Sequence, residues 1–314
     1  MKRIAALFFI IIISLPVAAQ QLITNAYNRT SINLNGQWKY IVDPYENGFY
    51  NYRYQAFDQM VNPPKHAFFM DATTDRRSEL LEYSFDKADS IRVPGDWNSQ
   101  KDRLFYYEGT VWYRKEFALE ARKERRYFIH FGAVNYESQV YLNGKKLGSH
   151  VGGFTPYSFE VTDVLKTGRN SLVLKVDNKR RKDGVPTLNT DWWNYGGITR
   201  DVRLVSTPMN YIADYMIQLD PLNAEHIIGF VQLNGSDIQG RQITLSIPEL
   251  GIHTQLISDE GGKAEITLQR ERIELWSPQN PKLYNISLKF DRDQVKDNIG
   301  FRTIRTKDRE IMLN

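Results

Sequence analysis

The stretch Val140-Tyr141-Leu142-Asn143-Gly144-Lys145-Lys146-Leu147 decides the fold class of this 314-residue chain. An Asn-Gly pair stands between two segments whose residues favour extended backbone. Both turn residues tolerate the positive φ angles that a two-residue β-hairpin turn requires. The sequence therefore predicts two antiparallel strands joined by a tight turn at Asn143 and Gly144.

Further segments with alternating apolar and polar residues flank this hairpin, and almost no helical pattern lies between them. Alternation with period two is typical of strands that are buried on one face. The alternating segments centre on residues 32–42, 91–93, 111–117, 127–131, 172–176 and 198–205. This spacing predicts an antiparallel β-sandwich, and hence an all-β fold, for the first part of the chain.

A second unit is predicted to begin near Pro208. Alternating segments recur around Ile217, Leu245, Ile266 and Leu288, separated by turns rich in Gly, Pro and Asp. The unit covers roughly 95 residues, which is the size of an immunoglobulin-like sandwich.

Residues 43–89 interrupt the alternating pattern of the first unit. They include the turn-rich run 43–50 and the break Pro63-Pro64. A stretch of this length without strand signals is uncommon inside a compact domain. We therefore expect an insertion that adds nothing to the core.

The N-terminus has the pattern of a secretory signal peptide over residues 1–19. Lys2 and Arg3 precede a short apolar run, residues 4–15, and Val17-Ala18-Ala19 offers small residues for cleavage. The apolar run is too short to span a membrane. We expect an exported bacterial protein, periplasmic or extracellular, with no membrane attachment after signal removal. The lack of cysteine fits such a protein better than a small disulfide-rich scaffold.

Composition narrows the class of function. The formal net charge of +4 is small for this length and argues against a dedicated nucleic-acid binder. The five histidines have no metal-ligand spacing, and no phosphate-binding, dinucleotide or Gly-x-Ser-x-Gly motif occurs. We therefore expect no metal and no cofactor. Glu46, Glu108 and Glu137 lie near aromatic residues, but ordinary loop acids are the favoured interpretation of each.

One aromatic stretch is unusual for either a surface loop or a core strand: Thr190-Asp191-Trp192-Trp193-Asn194-Tyr195-Gly196-Gly197-Ile198-Thr199-Arg200-Asp201-Val202. Aromatic rings beside an acid and an amide could contact both the apolar face and the hydroxyls of a sugar. The same residues could form an aromatic plug at the end of a sandwich, with Asp191 only stabilising the turn. On the residues alone, the plug is the favoured interpretation.

In order and spacing, seven motifs resemble those of glycoside hydrolase family 2, which includes β-glucuronidases and β-galactosidases. They lie at residues 34–38, 93–97, 112–117, 141–154, 197–202, 275–284 and 300–302. The resemblance implies a jelly-roll sugar-binding domain over residues 20–207, with the insertion at 43–89. An immunoglobulin-like domain follows over residues 208–303, and residues 304–314 would begin a (β/α)₈ barrel that these 314 residues do not contain.

The family implies retaining hydrolysis by two barrel glutamates roughly 5–5.5 Å apart. No residue of this chain corresponds to either glutamate, so we expect no catalytic residue here and an inactive isolated chain. The acid before the Gly-Ile-x-Arg strand resembles the family position that contacts sugar hydroxyls from the jelly roll; here it is Asp191. Asn194 is a second candidate for substrate binding, whereas Trp192, Trp193 and Tyr195 are expected to shape the loop. The basic run Lys179-Arg180-Arg181-Lys182 could attract an acidic sugar, although such runs are usually only solvated.

We therefore expect the N-terminal part of an exported β-glycosidase of carbohydrate metabolism. Its partners would be a β-linked glycoside or oligosaccharide, a catalytic barrel in cis and, in principle, a second copy of the chain. The alternative is a stand-alone carbohydrate-binding or interaction module without hydrolase activity.

Overall fold

A computed structural model describes residues 22–72 and 83–314. The predicted signal peptide, residues 1–19, lies outside the described residues. Two β-sandwiches follow one another along the chain, and a short hairpin ends it. The prediction of an all-β fold with two successive sandwiches is confirmed, and no (β/α)₈ barrel is present among the described residues.

The first sandwich packs a four-stranded sheet against a six-stranded sheet. Its strands are β1 (Ser31–Asn33), β2 (Gly36–Val42), β3 (Ser90–Val93), β4 (Gly95–Asp96), β5 (Thr110–Leu119), β6 (Arg125–Phe131), β7 (Glu137–Leu142), β8 (Lys145–Val151), β9 (Tyr157–Glu160), β10 (Gly168–Asp177), β11 (Gly197–Ile198) and β12 (Val202–Pro208). The sheets have the orders β1-β12-β6-β9 and β3-β2-β5-β10-β7-β8, and β4 pairs with β11 separately. All these pairs are antiparallel. The core between the sheets includes Trp38, Trp97, Tyr113, Phe131 and Tyr157.

The hairpin that decided the fold class forms as predicted. β7 ends at Leu142 and β8 begins at Lys145, and these two residues face each other in the ladder. Asn143 and Gly144 have φ angles of 53° and 80°. Both turn residues thus have left-handed backbone, which a two-residue turn of the primed type requires.

The second sandwich consists of a three-stranded and a four-stranded sheet with orders β13-β14-β17 and β16-β15-β18-β19. Its strands are β13 (Tyr211–Leu219), β14 (His226–Asn234), β15 (Gln242–Ile247), β16 (Ile252–Ile257), β17 (Lys263–Gln269), β18 (Tyr284–Phe290) and β19 (Asp293–Ile299). Along β14 every second residue is buried, including Ile227, Val231 and Leu233. This alternation places one face of each strand in the core, since successive side chains of a strand point to opposite faces. The exposed hairpin β20 (Ile304–Lys307) and β21 (Glu310–Leu313) follows.

Within residues 22–72 and 83–314, helical structure is limited to short segments. The described residues contain one α-helical turn, α1 (Trp97–Gln100), which the carboxylate of Asp96 caps by accepting a hydrogen bond from the backbone N–H of Ser99. Three-residue 3₁₀ turns lie at Ala26–Asn28, Phe57–Gln59, Phe68–Met70, Phe85–Lys87, Asp102–Leu104 and Pro248–Leu250.

The insertion contributes a cluster of buried apolar side chains, so the expectation that it adds nothing to the core was wrong. Its described residues bury a set of apolar side chains against Trp112, Tyr141 and Val173 on the outer face of the six-stranded sheet. The set includes Phe49, Phe57, Phe68, Phe69 and Phe85. The six-stranded sheet is therefore covered on both faces, which is why its strands β5 and β10 contain unbroken runs of buried residues.

The segment before β1 lies at the junction of the two sandwiches. Ile23 and Ala26 are buried there with Phe128 of the first sandwich and Tyr211 of the second. The Arg29 guanidinium donates hydrogen bonds to the backbone carbonyl of Ile212 (2.5 Å) and to Asp293 of β19. The described residues before β1 thus pack against both domains and hold them together.

Candidate functional site

Asp191 lies on the long loop that connects β10 to β11. The loop leaves the six-stranded sheet after Asp177 and re-enters the ladder at Gly197. Asp191 is exposed, and its carboxylate makes no hydrogen bond or ion pair within the part of the chain that the structure describes. The carboxylate is therefore free to accept hydrogen bonds from outside the protein.

Arg180 anchors the backbone on both sides of Asp191. Its guanidinium donates to the carbonyl oxygen of Thr190 (3.3 Å) and its hydroxyl (2.9 Å), and to the carbonyl oxygen of Trp192 (3.2 Å). Glu108, on the segment before β5, accepts a further hydrogen bond from Nε of Arg180 at 2.9 Å. A rigid, planar guanidinium suits this arrangement because it can donate in several fixed directions at once.

Asn194 is buried below the loop, and the prediction that it binds substrate does not fit this placement. Only 5% of the residue is exposed. Its amide N–H group donates to the carbonyl oxygen of Asn178, and its amide oxygen accepts from the side chain of Asn135 at 3.2 Å. Both ends of the amide are thus used inside the protein, so in this chain Asn194 holds the loop in place.

Three further asparagines complete this buried network, and the sequence reasoning missed all of them. Asn178 donates to the carbonyl oxygen of Asn194 (2.9 Å) and accepts from the N–H of Gly109 (2.9 Å). Asn98 accepts from the N–H of Gly196 at 2.9 Å, and Asn135 donates to the carbonyl oxygen of Tyr195. Buried amides that bond to the backbone in this way make it more rigid. One atom of the network, Oδ1 of Asn135, has no hydrogen-bond partner among the described residues.

The glycine pair that ends the loop is explained by two separate constraints. A Cβ atom on Gly196 would lie 2.1 Å from the ring of the buried Trp97, so only glycine fits there. Gly197 has a φ of 138°, which residues with a side chain rarely adopt. These two glycines let the chain pass over Trp97 and turn into β11.

The aromatic residues of the loop divide into one that packs and two that project. Trp193 packs against Phe105 (4.8 Å between ring centroids) and Tyr106 (5.4 Å). Trp192, by contrast, is 66% exposed, so its ring does not buttress the loop as expected. Tyr195 is also exposed and lies at 6.3 Å from the ring of Trp193. The loop therefore presents flat apolar surface and one carboxylate to solvent side by side.

A small cavity of about 140 Å³ lies beneath this surface. It is lined by Asn98, Tyr106, Glu108, Arg180, Trp193 and Asn194. Asp191 is not among the lining residues, so a ligand bound in this cavity would not contact the Asp191 carboxylate through the cavity wall.

The basic run is largely neutralised. Lys179 lies 3.6 Å from Asp177, Arg180 pairs with Glu108, and Arg181 pairs with Glu137. This pairing weakens the hypothesis that the run attracts an acidic sugar, because three of its four charges are already compensated.

The candidate glutamates of the sequence analysis are all held in ion pairs, Glu108 with Arg180 and Glu137 with Arg181. Glu46 accepts hydrogen bonds from Lys175 (2.6 Å) and the Thr110 hydroxyl (2.9 Å). Burial opposes the charged form, but these hydrogen bonds and the Lys175 charge hold the pKa of Glu46 below its ordinary value. A general acid needs a raised pKa instead, so Glu46 is not suited to that role.

The described residues contain neither a metal-binding cluster nor a membrane-spanning helix. Across residues 22–72 and 83–314, no three His, Asp or Glu side chains are grouped in a way that could hold a metal ion. No helix in the same ranges has the length and apolar character needed to cross a bilayer.

Comparison with known proteins gives the family. Residues 32–208 match the model for the sugar binding domain of glycosyl hydrolases family 2, and residues 210–302 match a second model of glycosyl hydrolases family 2. The chain belongs to glycosyl hydrolase family 2. The resemblance drawn from the seven sequence motifs is thereby confirmed.

Relatives of this family 2 chain include proteins named for two sugars. A putative β-glucuronidase of Formosa agariphila is 28% identical over 235 residues, covering 70% of this chain and 28% of the relative. A β-galactosidase of Streptococcus thermophilus is 27% identical over 302 residues, covering 90% of this chain and 28% of the relative. The chain thus spans less than a third of the length of these curated relatives.

Solved structures show the same fold. A β-glucuronidase of Bifidobacterium dentium, complexed with coumarin-3-O-glucuronide, superposes with a TM-score of 0.72 at 24% identity, over 91% of this chain and 51% of that one. A Ruminococcus gnavus β-glucuronidase in complex with D-glucuronic acid superposes with a TM-score of 0.69 at 25% identity, over 94% and 50%. At this level of identity the first likeness shows the fold alone.

Proposed function

We propose that this chain is the N-terminal, non-catalytic part of an exported retaining β-glycosidase that removes a terminal β-linked glucuronide or galactoside. The names of the relatives support this choice of sugars. The lengths of the relatives support a longer polypeptide, because this chain spans only 28% of each.

In this proposal the chemistry is carried out outside these 314 residues. Retaining hydrolysis needs an acid/base and a nucleophile, two carboxylates about 5–5.5 Å apart. In the family these are glutamates of a (β/α)₈ barrel. The chain alone therefore binds and positions but does not hydrolyse.

Asp191 is the residue of this chain that contacts the substrate in the proposal. The observation that carries this role is the combination of a free carboxylate and a backbone fixed on both sides by Arg180. Because its backbone is fixed, Asp191 loses less conformational entropy when its carboxylate accepts hydrogen bonds from sugar hydroxyls. In the complete enzyme the loop would reach toward the barrel pocket and hold the sugar at the scissile bond.

Export is part of the proposal and rests on the N-terminal pattern. Lys2 and Arg3, the apolar run and the small residues ending at Ala19 form a signal sequence that directs the protein to the periplasm or the medium. A carbohydrate-degrading enzyme would meet its glycosides there.

The experiment begins with the intact mass of the native polypeptide from the exporting cell. We expect a product longer than this chain by at least about 250 residues, the usual size of such a barrel, and beginning after Ala19. Purified product and isolated chain are then assayed on chromogenic β-glucuronides and β-galactosides. Only the longer product should hydrolyse these substrates. A native product that ends at Asn314 and shows no hydrolysis would contradict the proposal and favour a stand-alone binding module.

A further inference from the structure

A second cavity lies where the insertion meets β7 and β8. Its volume is about 550 Å³, within the range of small-ligand sites. It is lined mainly by residues 49–60 of the insertion, together with Gln139 of β7 and Lys146 of β8. It shares no lining residue with the cavity beneath the Asp191 loop.

The aromatic rings of this cavity offer flat apolar faces. Tyr50 and Tyr54 lie with ring centroids 6.3 Å apart and planes inclined by 53°. Tyr54 is 84% exposed and Tyr50 is half-buried, so one ring projects at the rim while the other lies against the protein. Tyrosine faces of this kind pack against apolar C–H groups, and the hydroxyls remain available for hydrogen bonds.

The polar lining supplies both donors and acceptors. Gln55, Gln59 and Gln139 place three side-chain amides around the opening. Each amide carries two N–H donors and an acceptor oxygen. The oxygens of Gln55 and Gln139 already accept hydrogen bonds from Asn51 and from the Tyr141 hydroxyl, both at 2.9 Å, so these two residues offer a ligand mainly their N–H groups. Gln59 makes no side-chain hydrogen bond to any residue that the structure describes, so its amide is available to a ligand.

The charges of the cavity are paired. Asp58 is almost completely buried, and its Oδ2 atom accepts hydrogen bonds from Lys146 (2.7 Å) and from the hydroxyl of Tyr141 (2.8 Å). The other oxygen of Asp58 has no hydrogen-bond partner among the described residues. Lys146 is thus committed to Asp58, and the cavity offers an anionic ligand no uncompensated cation.

The surroundings give a negative ligand no attraction either. Burial, followed by the nearby carboxylates of Glu46, Glu137 and Asp58, raises the pKa of the Tyr50 phenol above its ordinary value. Each of these carboxylates is paired with a cation, so the cavity has no net positive charge that would favour the carboxylate of a uronic acid.

From these observations we propose that the cavity between the insertion and strands β7 and β8 binds a neutral pyranose unit of an oligosaccharide. The sugar ring stacks its C–H face on Tyr54, and its hydroxyls hydrogen-bond the amides of Gln59 and Gln139. This binding does not depend on the hydrolase role proposed above, because it uses none of the residues around Asp191.

The test is calorimetric titration of the chain with neutral cello-, xylo- and galacto-oligosaccharides, and with glucuronate-containing oligosaccharides of the same length. We expect at least one neutral ligand to bind and the glucuronates to bind more weakly. Tyr54→Asn, whose new side chain tolerates the positive φ of 56° at this position, should weaken binding about tenfold, the loss of about 1.4 kcal/mol. Gln59→Ala should also weaken binding of the neutral oligosaccharide.

Tyr52→Asn is the matched control, because Tyr52 is equally exposed but does not line the cavity. It should bind as the unchanged chain does. The proposal is overturned if no neutral oligosaccharide binds, if glucuronates bind more tightly, or if Tyr54→Asn and Gln59→Ala leave the affinity unchanged. Loss of binding in Asp191→Ala alone would place the sugar at the Asp191 loop and also overturn it.

Discussion

Arg29 and Asp293 form a buried salt bridge of 3.2 Å across the junction of the two sandwiches. Their side chains are 3% and 8% exposed. Asp293 also accepts a hydrogen bond from the backbone N–H of Ile212 at 2.9 Å, which fixes the start of β13. A residue of the segment before the first strand thus holds the second domain in place.

We predict that Asp293→Asn lowers the free energy of unfolding by about 3–5 kcal/mol, because it leaves the buried Arg29 charge uncompensated. Urea denaturation followed by fluorescence measures the change. The matched control is Asp237→Asn, since Asp237 pairs with Arg241 at the surface of the same domain. The control should change stability by less than about 1 kcal/mol. Equal effects of the two substitutions would show that the buried pair is not what connects the domains.

A second prediction concerns Arg180, which we expect to position the Asp191 loop. Arg180→Lys keeps the charge near Glu108 but cannot reproduce the hydrogen bonds to the carbonyl oxygens of Thr190 and Trp192. Amide hydrogen exchange of residues 190–195 should become faster, while exchange in the strands stays unchanged.

Arg181→Lys serves as the control, because the Arg181 guanidinium pairs with Glu137 and makes no hydrogen bond to residues 190–195. If both variants accelerate exchange to the same extent, the cause would be the replacement of any guanidinium near residues 190–195. The anchoring by Arg180 would then not explain the result.

The third prediction tests Asp191 in the longer hydrolase that we propose. Asp191→Ala should lower kcat/KM about 10–100-fold. A hydrogen bond to a charged group contributes about 1.5–3 kcal/mol, and its loss in the transition state has an effect of this size. The fold should be unaffected, because the carboxylate has no partner among the described residues. Steady-state kinetics on the preferred chromogenic glycoside measure the effect, with circular dichroism as the check on folding.

Asp183→Ala is the companion variant, since Asp183 is an exposed acid of the same long loop. It should leave kcat/KM unchanged. Wild-type kinetics for Asp191→Ala would remove the proposed contact with the sugar.

The fourth prediction concerns His130, a buried residue of β6. Burial, followed by the charge of Arg203, lowers the pKa of His130 from 6.5 to about 4. The unfolded chain therefore binds a proton between these pH values that the folded chain does not, and the unfolding free energy should decrease as the pH falls from about 6.5 to about 4. The contribution of this group is about 3 kcal/mol, at about 1.4 kcal/mol for each pH unit.

His130→Gln should make the decrease smaller, whereas His253→Gln, which changes an exposed imidazole, should not. Urea denaturation at several pH values distinguishes the variants. The same pH slope in wild type and His130→Gln would show that His130 does not contribute to the acid sensitivity.

Local patterns allowed most of the fold to be predicted. The turn at Asn143 and Gly144 and the alternation along β14 depend only on neighbouring residues, so they could be read without knowing the rest of the chain. The insertion could not be interpreted in this way. Its buried phenylalanines follow no regular period, and the surface that they cover is formed by strands β5, β7 and β10 farther along the chain.

The candidate site, too, was only partly predictable from local sequence. The stretch around Asp191 was recognisable from its aromatic residues, its glycine pair and the family motif that follows it. The sequence made Asn194 a candidate for substrate binding, because an amide beside an acid looks the same whether it faces a ligand or the interior. Only its partners Asn135 and Asn178, in other parts of the chain, show that it faces inward.

The sequence by itself thus determined an all-β chain of two sandwiches in glycoside hydrolase family 2 and singled out Asp191 as the acid of interest. The tertiary structure decided which polar residues are structural. It brought Arg29 to Asp293, Arg180 to the loop backbone, and Tyr54 together with Gln139 at one cavity. The physical reason is that strand and turn formation depend on local backbone preferences, whereas the pairing of a buried polar group depends on residues that only folding brings within hydrogen-bond distance.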